Sequence, residues 1–485
     1  MRLLAPFITF TTWVTCYCSD IYTSTAQIQL LVDSERGLLT FLKNSFERKA
    51  SHSDRYQSLV GEVSQDLATM STALSVNHPL DAYIGIRRFA RHRIKYLSAV
   101  EPNVLHSIFA SVAKFGVIFP DIQTLRYARA AIIRLQMTYN ISASSLTSSA
   151  WGNITTEDCI AFADWSVSHG LHQLHADWLR LGQTINPIQS GNLVDGSHVS
   201  EDSTACSYHS FSDCQRNEMN TLELNPPDEE FEQLCRKYQD PHQTAIQSSV
   251  CQYSTTRIPY RRWKTEILSK DPLVALYYDA ISDTEAEHLK QLSTSLLERS
   301  ATGNSPLSHK QHEARTSKVA WLWDNHTSIV ERLSRRVSEI TGLLTDFRDN
   351  RTLAEPLQVL NYGIGGQYVP HYDYFVDSEQ LKYSTGFIKD SGDRLATFMF
   401  YLGDVDAGGA TVFPVLGIGA QPIKYAAVFW YNYTPDGQPD PRTKHGGCPV
   451  LYGQKWVANK WIRQISAAIT ESCPRKKPVP PLYNT

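Results

Sequence analysis

The chain lacks an excess of charge of either sign. Against 46 lysine and arginine residues stand 49 aspartate and glutamate residues, and the formal net charge at pH 7 is -3. This balance provides no excess of positive charge that would bind nucleic acid or an anionic membrane surface. The sequence also has no Cys-x-x-Cys pair, which argues against a zinc ribbon, and no repeat of fixed period. Because 42% of its 485 residues are apolar and 20% are charged, wholesale disorder and fibrous folds are disfavoured.

Long uncharged apolar runs are absent except at the start of the chain. After the basic start Met1-Arg2, residues 3–18 carry no charge, which predicts a secretory signal peptide over residues 1–18 that is cleaved near residues 16–19. A membrane anchor is the alternative, but the run is shorter than the roughly 20 residues that span a bilayer. We therefore expect a lumenal or secreted mature protein with no membrane span.

Cysteine usage is modest and fits this compartment. Of nine cysteines, Cys16 and Cys18 lie in or beside the predicted signal peptide. In an oxidising compartment, cysteines close in sequence are the natural disulfide candidates, which leaves one of the other seven unpaired. The predicted pairs are Cys235 with Cys251, Cys448 with Cys473 and Cys206 with Cys214, with Cys159 free. Glycosylation sequons occur at Asn140, Asn153, Asn325, Asn350 and Asn432, although such triplets also arise by chance.

The first part of the chain has helical periodicity. Apolar residues recur at steps of three and four in two stripes, at Ile28, Leu31, Leu38 and Leu42 and at Tyr56, Val60, Val63, Leu67, Met70 and Leu74. Core packing within a helical bundle is the favoured interpretation of these stripes, and a dimer seam is the alternative. A helical pair is predicted over residues 156–182, followed by a polar, aperiodic linker.

After about residue 270 the pattern changes to short β-type segments. Strands are predicted at 273–278, 357–362, 395–402, 426–433 and 454–461, and helical stripes at 283–299 and 326–341 interrupt them. These segments predict an α+β protein with a mostly antiparallel, barrel-like catalytic unit.

One group of polar residues indicates the chemistry of the protein. His371 and Asp373 stand two residues apart, so that on a strand both side chains point to the same face, and His445 lies further along the chain. Two histidines and one carboxylate form the facial triad of non-haem Fe(II) oxygenases. Lys455 follows in a strand-like, aromatic segment, where an inward lysine needs an anionic partner. The alternative for Lys455 is a side chain that snorkels on the outer face.

The segment 357–461 closely resembles the catalytic domain of collagen prolyl 4-hydroxylase α subunits. The resemblance rests on four motifs in order: Asn-Tyr-Gly-Ile-Gly-Gly-Gln-Tyr-Val-Pro-His-Tyr-Asp, Gly-Gly-Ala-Thr-Val-Phe-Pro, Ala-Val-Phe-Trp-Tyr-Asn and Lys-His-Gly-Gly-Cys-Pro-Val-Leu-Tyr-Gly-Gln-Lys-Trp-Val-Ala-Asn-Lys-Trp. It implies a double-stranded β-helix, or jelly-roll, that hydroxylates C4 of peptidyl proline in collagen-like or proline-rich chains with dioxygen, 2-oxoglutarate and Fe(II), and with ascorbate as a further cofactor.

The resemblance also implies individual roles. Fe(II) is expected on His371, Asp373 and His445, and the distal carboxylate of 2-oxoglutarate on Lys455, with Tyr362 and Thr411 beside the cosubstrate. Tyr368, Arg394 and Trp461 match positions around the substrate groove, although an aromatic residue on a barrel strand is more often part of the core. The predicted pairs Cys235 with Cys251 and Cys448 with Cys473 fall at the family's disulfide positions.

Outside the catalytic segment the resemblance thins. The family has several helices of a tetratricopeptide-type peptide-binding domain after its N-terminal region, whereas this chain has a reduced peptide-binding region at 146–182 and a polar linker with a disulfide at 183–270. The resemblance implies a helical dimerisation region at 19–145, a catalytic domain at 271–473 with its core at 355–465, and a tail at 474–485. It further implies an α2β2-type assembly with protein disulfide isomerase in the lumen of the endoplasmic reticulum. A hydroxylase of another peptide or residue and a non-catalytic assembly subunit are the alternatives.

Overall fold

The computed structural model describes most of the helical region and most of the β region. The described residues are 21–50, 54–69, 74–92, 95–96, 120–148, 153–186, 228–240, 250–255, 260–300, 314–348, 351–375 and 391–466. The predicted signal peptide, Met70, Asn350, Cys206, Cys214 and Cys473 therefore lie outside the described part of the chain.

Helices dominate the described residues before position 240. A short 3-10 helix at Ile21–Thr23 leads into the α-helices α1 (Thr25–Ala50), α2 (Asp54–Thr69), α3 (Pro79–His92), α4 (Ile122–Tyr139), α5 (Ala143–Ser148), α6 (Thr156–Ser168), α7 (His172–Ile185) and α8 (Glu229–Lys237). Capping explains several of their starts. Asp121 and Thr155 each accept a hydrogen bond from the backbone of the third helical residue, and that residue's side chain accepts one in return.

The apolar stripes of α1 and α2 are buried inside the chain. Ile28, Leu31 and Leu42 are fully buried, and Val63 of α2 joins the same hydrophobic cluster. This burial supports the core-packing interpretation, because these side chains already have partners within one chain. The predicted helical pair is also present as α6 and α7, whose Phe162 and Trp178 rings stack with centroids 4.2 Å apart.

The second part of the chain is built on antiparallel strands. They are β1 (Val250–Thr255), β2 (Arg262–Lys270), β3 (Leu273–Tyr277), β4 (Glu298–Arg299), β5 (Ser317–Leu322), β6 (Phe347–Arg348), β7 (Arg351–Thr352), β8 (Leu357–Tyr362), β9 (Tyr368–His371), β10 (Arg394–Tyr401), β11 (Ala407–Gly408), β12 (Thr411–Phe413), β13 (Ile418–Ala420), β14 (Ala427–Tyr431), β15 (His445–Gly447), β16 (Val450–Tyr452) and β17 (Trp456–Arg463). Two more helices, α9 (Asp283–Thr294) and α10 (Ser328–Thr341), lie among them.

Two of the sheets form the predicted jelly-roll. The large sheet has the order β1-β2-β3-β14-β10-β17-β8-β5-β4, and the small sheet has the order β13-β12-β15-β9. Side chains from both sheets, such as Leu360 and Met399 from the large sheet and Phe413 from the small one, share one buried cluster. The opposite face of the large sheet packs on α9 and α10, through residues such as Leu289 and Leu333. The fold class is therefore confirmed as α+β with a jelly-roll and flanking helices.

The predicted polar linker at 183–270 is wrong in its last part. Within it, β1 and β2 pair with each other, and β2 pairs with β3, so that the large sheet begins well before residue 271. These strands are rich in polar residues because β1 lies at the edge of the sheet, where one face and one backbone edge remain open to solvent.

The predicted pairs of Cys235 with Cys251 and of Cys448 with Cys473 are also wrong, because Cys235 is bonded to Cys448. Helix α8 packs on the small sheet, where the ring of Phe231 lies so close to Gly446 that no side chain would fit there. This packing brings Cys235 beside Cys448, although the two are 213 residues apart in sequence. Cys251 lies on edge strand β1 as an exposed free thiol, and Cys159 is free and buried, as predicted.

The first described residues of the helical region contact the jelly-roll. Ser24 donates a hydrogen bond of 2.7 Å to the Asn361 side chain, and Thr25 donates one of 3.1 Å to the Tyr362 carbonyl. The backbone N–H of Ile364 donates to the carbonyl of Tyr22 at 2.9 Å. In the part of the chain that the structure describes, no helix is both long and apolar enough to cross a bilayer.

Candidate active site

Strand pairing brings the three predicted metal ligands together. His371 ends β9 and His445 begins β15, and the two residues are direct partners in the antiparallel ladder. Asp373 follows β9 by two residues, and its carboxylate oxygens lie 3.6 Å from His371 Nε2 and 3.7 Å from His445 Nε2. The three candidate ligand atoms lie within 4.8 Å of one another. One histidine from each of these two strands, together with the aspartate just beyond β9, therefore forms a compact set of candidate metal ligands.

Backbone contacts orient both imidazoles. His371 Nδ1 lies 2.9 Å from the carbonyl of Val369, and His445 Nδ1 lies 3.0 Å from the carbonyl of Thr443. Because a carbonyl can only accept, Nδ1 carries the proton and Nε2 presents its lone pair to the site. Burial lowers the pKa of His445 to about 4, so this imidazole is neutral at pH 7 and available to a metal.

Thr397 holds the carboxylate of Asp373, and Asn432 in turn holds the hydroxyl of Thr397. Thr397 donates a 2.6 Å hydrogen bond to Asp373 Oδ2, and Asn432 Nδ2 donates a 3.1 Å hydrogen bond to Thr397 Oγ1. Burial opposes ionisation of Asp373, but the two imidazoles and the Arg394 guanidinium hold its pKa well below the ordinary range. One ionised carboxylate and two imidazoles that present Nε2 to the site are a donor set that fits Fe(II).

A cavity opens beside these ligands and contains the predicted cosubstrate residues. Lys455, Tyr362 and Thr411 all line it. Lys455 is 2% exposed and has no carboxylate partner among the described residues, so burial alone lowers its pKa to about 7. A Cβ atom at Gly447 would lie 3.4 Å from Lys455 Nζ, so that glycine keeps the space beside the amine open. A buried amine that lies 4.9 Å from the centroid of the Tyr362 ring and has no carboxylate partner in the described part of the chain fits the carboxylate of 2-oxoglutarate.

The aromatic residues predicted around the substrate groove also line this cavity. The ring of Tyr368 stacks on His371 at 3.5 Å between centroids, and Trp461 forms another part of the wall. Arg394 lies behind the wall instead. Its guanidinium forms two hydrogen bonds to Glu355, of 2.6 and 2.9 Å, and stands 3.6 Å from the centroid of the Trp461 ring. In this structure Arg394 therefore supports Trp461 and is itself neutralised by Glu355.

Several lining residues were not anticipated: Arg315, Thr397, Met399, Trp430 and Asn459. Strand alternation could have identified some of them. Asn459 and Trp461 follow Lys455 at even spacing on one strand, and Thr397 and Met399 alternate in the same way on β10. Arg315 offers no such signal, because an isolated bridge to Tyr368, across more than fifty residues, brings it to the cavity.

A jelly-roll that gathers two histidines, an aspartate and a buried lysine in one cavity defines a 2-oxoglutarate-dependent Fe(II) oxygenase. Residues 357–463 match the 2OG-Fe(II) oxygenase superfamily, and residues 24–152 match the N-terminal region of the prolyl 4-hydroxylase alpha-subunit. The chain is similar to prolyl 4-hydroxylase α subunits along most of its length.

Individual relatives cover nearly the whole chain. Prolyl 4-hydroxylase subunit alpha-2 of Caenorhabditis elegans is 27% identical over 94% of this chain and 93% of its own length. Subunit alpha-1 of Homo sapiens is 27% identical over 93% and 95%, and subunit alpha-3 of Rattus norvegicus is 41% identical over 50% and 44%. Among solved structures, the viral collagen prolyl hydroxylase of Paramecium Bursaria Chlorella virus-1 in its 2OG complex is 25% identical, with a TM-score of 0.30, over 39% of this chain and 95% of that one.

Proposed function

We propose that this chain is the catalytic α subunit of a prolyl 4-hydroxylase that acts on collagen-like or proline-rich chains. The observation that carries the proposal is the joint presence, in one cavity, of the His371, Asp373 and His445 donor set and the buried amine of Lys455, which has no carboxylate partner among the described residues. The first feature fits Fe(II), and the second fits the distal carboxylate of 2-oxoglutarate.

When bound, the iron and 2-oxoglutarate use dioxygen to replace the C4 hydrogen of a peptidyl proline by hydroxyl, with succinate and carbon dioxide as coproducts. The residues of this chain bind and orient the reactants. His371, Asp373 and His445 would hold the metal at the edge of the cavity. Ascorbate is the further cofactor that we expect, as is typical of the family.

Lys455 supplies the charge that selects the cosubstrate. Burial lowers the pKa of Lys455 to about 7, and a bound carboxylate favours the protonated form. Burial raises the pKa of Tyr362 to about 12, so its phenol remains a hydrogen-bond donor next to the amine. Thr411, whose hydroxyl accepts from Tyr401 at 2.9 Å, completes this end of the cavity.

The aromatic wall would contact the peptide. Tyr368 and Trp461 offer flat apolar faces beside the metal ligands, and Arg394 holds the Trp461 ring from behind. These faces would exclude water from the reacting proline and stack on its ring.

Succinate release with proline-rich and collagen-like peptides tests the proposal. The protein should release succinate and add one oxygen to a proline, and His371→Ala, Asp373→Ala or His445→Ala should reduce both to background. His172→Ala, which changes an exposed histidine on α7, is the matched control and should remain active. Modification of a residue other than proline, or no turnover with any peptide, would favour one of the two alternatives, another hydroxylase or a non-catalytic subunit.

We also infer an assembly in the secretory pathway. The match of residues 24–152 to an α-subunit N-terminal region, and the α-subunit relatives, support a β-subunit partner. We propose that this partner is protein disulfide isomerase, in an α2β2-type complex in the lumen of the endoplasmic reticulum. Co-expression followed by native mass measurement should yield a complex with both chains. A soluble, active monomer with no isomerase beside it would contradict this assignment.

A further inference from the structure

A row of side chains leads from the cavity to the surface of the large sheet. In the register of the sheet, Met399 on β10 is the partner of Asn459 on β17, Asn459 is the partner of Gln358 on β8, and Gln358 is the partner of Trp321 on β5. Met399 and Asn459 line the cavity. Val319, two residues before Trp321, packs in the cluster between the two sheets, so Trp321 lies on the cavity side of the sheet.

The outer end of this row is an exposed aromatic surface. Trp321 is 40% exposed, and its ring centroid lies 6.1 Å from that of Trp461, which lines the cavity. The aromatic surface of the cavity wall therefore continues without a break onto the face of the protein. An exposed tryptophan adjoining a substrate cavity is a suitable surface for the ring of a proline.

Two polar atoms without a hydrogen-bond partner among the described residues lie beside this aromatic surface. Asn459 Oδ1 and Trp461 Nε1 are buried and have no hydrogen-bond partner within the described residues, while Asn459 Nδ2 lies 3.4 Å from Gln358 Oε1. One acceptor and one donor in this position match the N–H and C=O groups of a peptide backbone. The row thus offers both backbone contacts and an aromatic face for a side chain.

We propose that Trp321 is a second substrate subsite, which binds a proline one triplet away from the proline that is hydroxylated. Neighbouring strands lie about 4.7–4.9 Å apart, so the two strand steps from Asn459 to Trp321 span about 9.5 Å. A polyproline II chain advances about 3.1 Å per residue, and three residues therefore cover about 9.3 Å. A collagen-like chain that crosses the strands would place equivalent positions of successive Gly-X-Y triplets at the cavity and at Trp321. This inference rests on the proposed function.

A position scan along the substrate tests the spacing. In a proline-rich peptide with one hydroxylated proline, each flanking proline is replaced by alanine in turn, and KM and kcat are measured. For the unmodified protein, replacement three residues from the target on one side should raise KM about fivefold to tenfold with little change in kcat. If the largest effect lies at another spacing, or no flanking position matters, the proposal is refuted without any protein variant.

Variants then assign the effect to Trp321. Trp321→Ala should abolish the discrimination between the two peptides, Trp321→Phe should keep most of it, and Trp323→Ala should behave like the unmodified protein. Trp323 is the matched control because it is 52% exposed but lies outside the row. Turnover of a single-triplet peptide should be the same in all three variants, which verifies folding.

Two results separate this inference from the proposed function. An unmodified protein that hydroxylates no proline peptide would overturn the proposed function itself. An active protein in which Trp321→Ala and Trp323→Ala discriminate equally would overturn only the subsite. If Trp321→Ala loses all turnover, Trp321→Leu is measured against the same pair of peptides and judged by the same criterion.

Discussion

Replacing Thr397 by valine removes the hydroxyl that holds the carboxylate of Asp373 while preserving the shape of the side chain. The hydroxyl donates a 2.6 Å hydrogen bond to Asp373 Oδ2, and both residues are buried. Hydrogen bonds to charged groups contribute about 1.5–3 kcal/mol, and each 1.4 kcal/mol is a factor of ten in affinity. We therefore expect Thr397→Val to weaken metal binding about 10-fold to 100-fold.

Metal titration without oxygen measures this effect directly. The dissociation constants of Fe(II) and of redox-inert Mn(II) should both rise in Thr397→Val, and Thr397→Ser, which keeps the hydroxyl, should restore most of the affinity. The melting temperature without metal verifies that the variants fold. Equal metal affinities in the valine variant and the unmodified protein, or a serine variant as weak as the valine one, would refute the reasoning.

Three further predictions follow from buried groups. Because burial lowers the pKa of Lys455 to about 7 and a bound carboxylate raises it, binding takes up a proton, so the Kd of 2-oxoglutarate should rise up to tenfold per pH unit above 7. Lys455→Met should bind weakly at every pH while keeping its metal, and a pH-dependent Kd in that variant would contradict this assignment. Peptide mapping without reduction should recover a Cys235–Cys448 fragment, and alkylation of both thiols would refute the bond. Asn432 lies in a sequon but is 0% exposed and hydrogen-bonded to Thr397, so mass mapping should find it unmodified; a glycan there would show that the site is folded differently.

Much of the site was predictable because strand geometry is regular. The strand at Leu357–Tyr362 has the predicted bounds, and the His-x-Asp spacing gave the correct pair of neighbouring side chains. The sequence does not predict which face of its strand carries Lys455, because a single lysine on an aromatic strand fits either face. The structure resolves that alternative, since Lys455 lies in the cavity and is buried.

The failures share one physical cause, which is that distance along the chain does not give distance in space. Cys235 and Cys251 are close in sequence, but they belong to helix α8 and to an edge strand, and α8 docks on the other sheet. The partner of Arg394 is likewise distant in sequence, because Glu355 comes from a different segment. Pattern alone cannot supply such partners, because each depends on how two elements pack.

The contact between Ser24 and Asn361 has a consequence for how the protein is made. The two residues are separated by 337 positions, and chains are synthesised at about 5–20 residues per second. Roughly 17 to 70 s therefore pass between the emergence of the first partner and that of the second. During this interval the segment that supports the Tyr362 side of the cavity has no surface to dock on. The active site is thus assembled around a segment that was made 337 residues earlier.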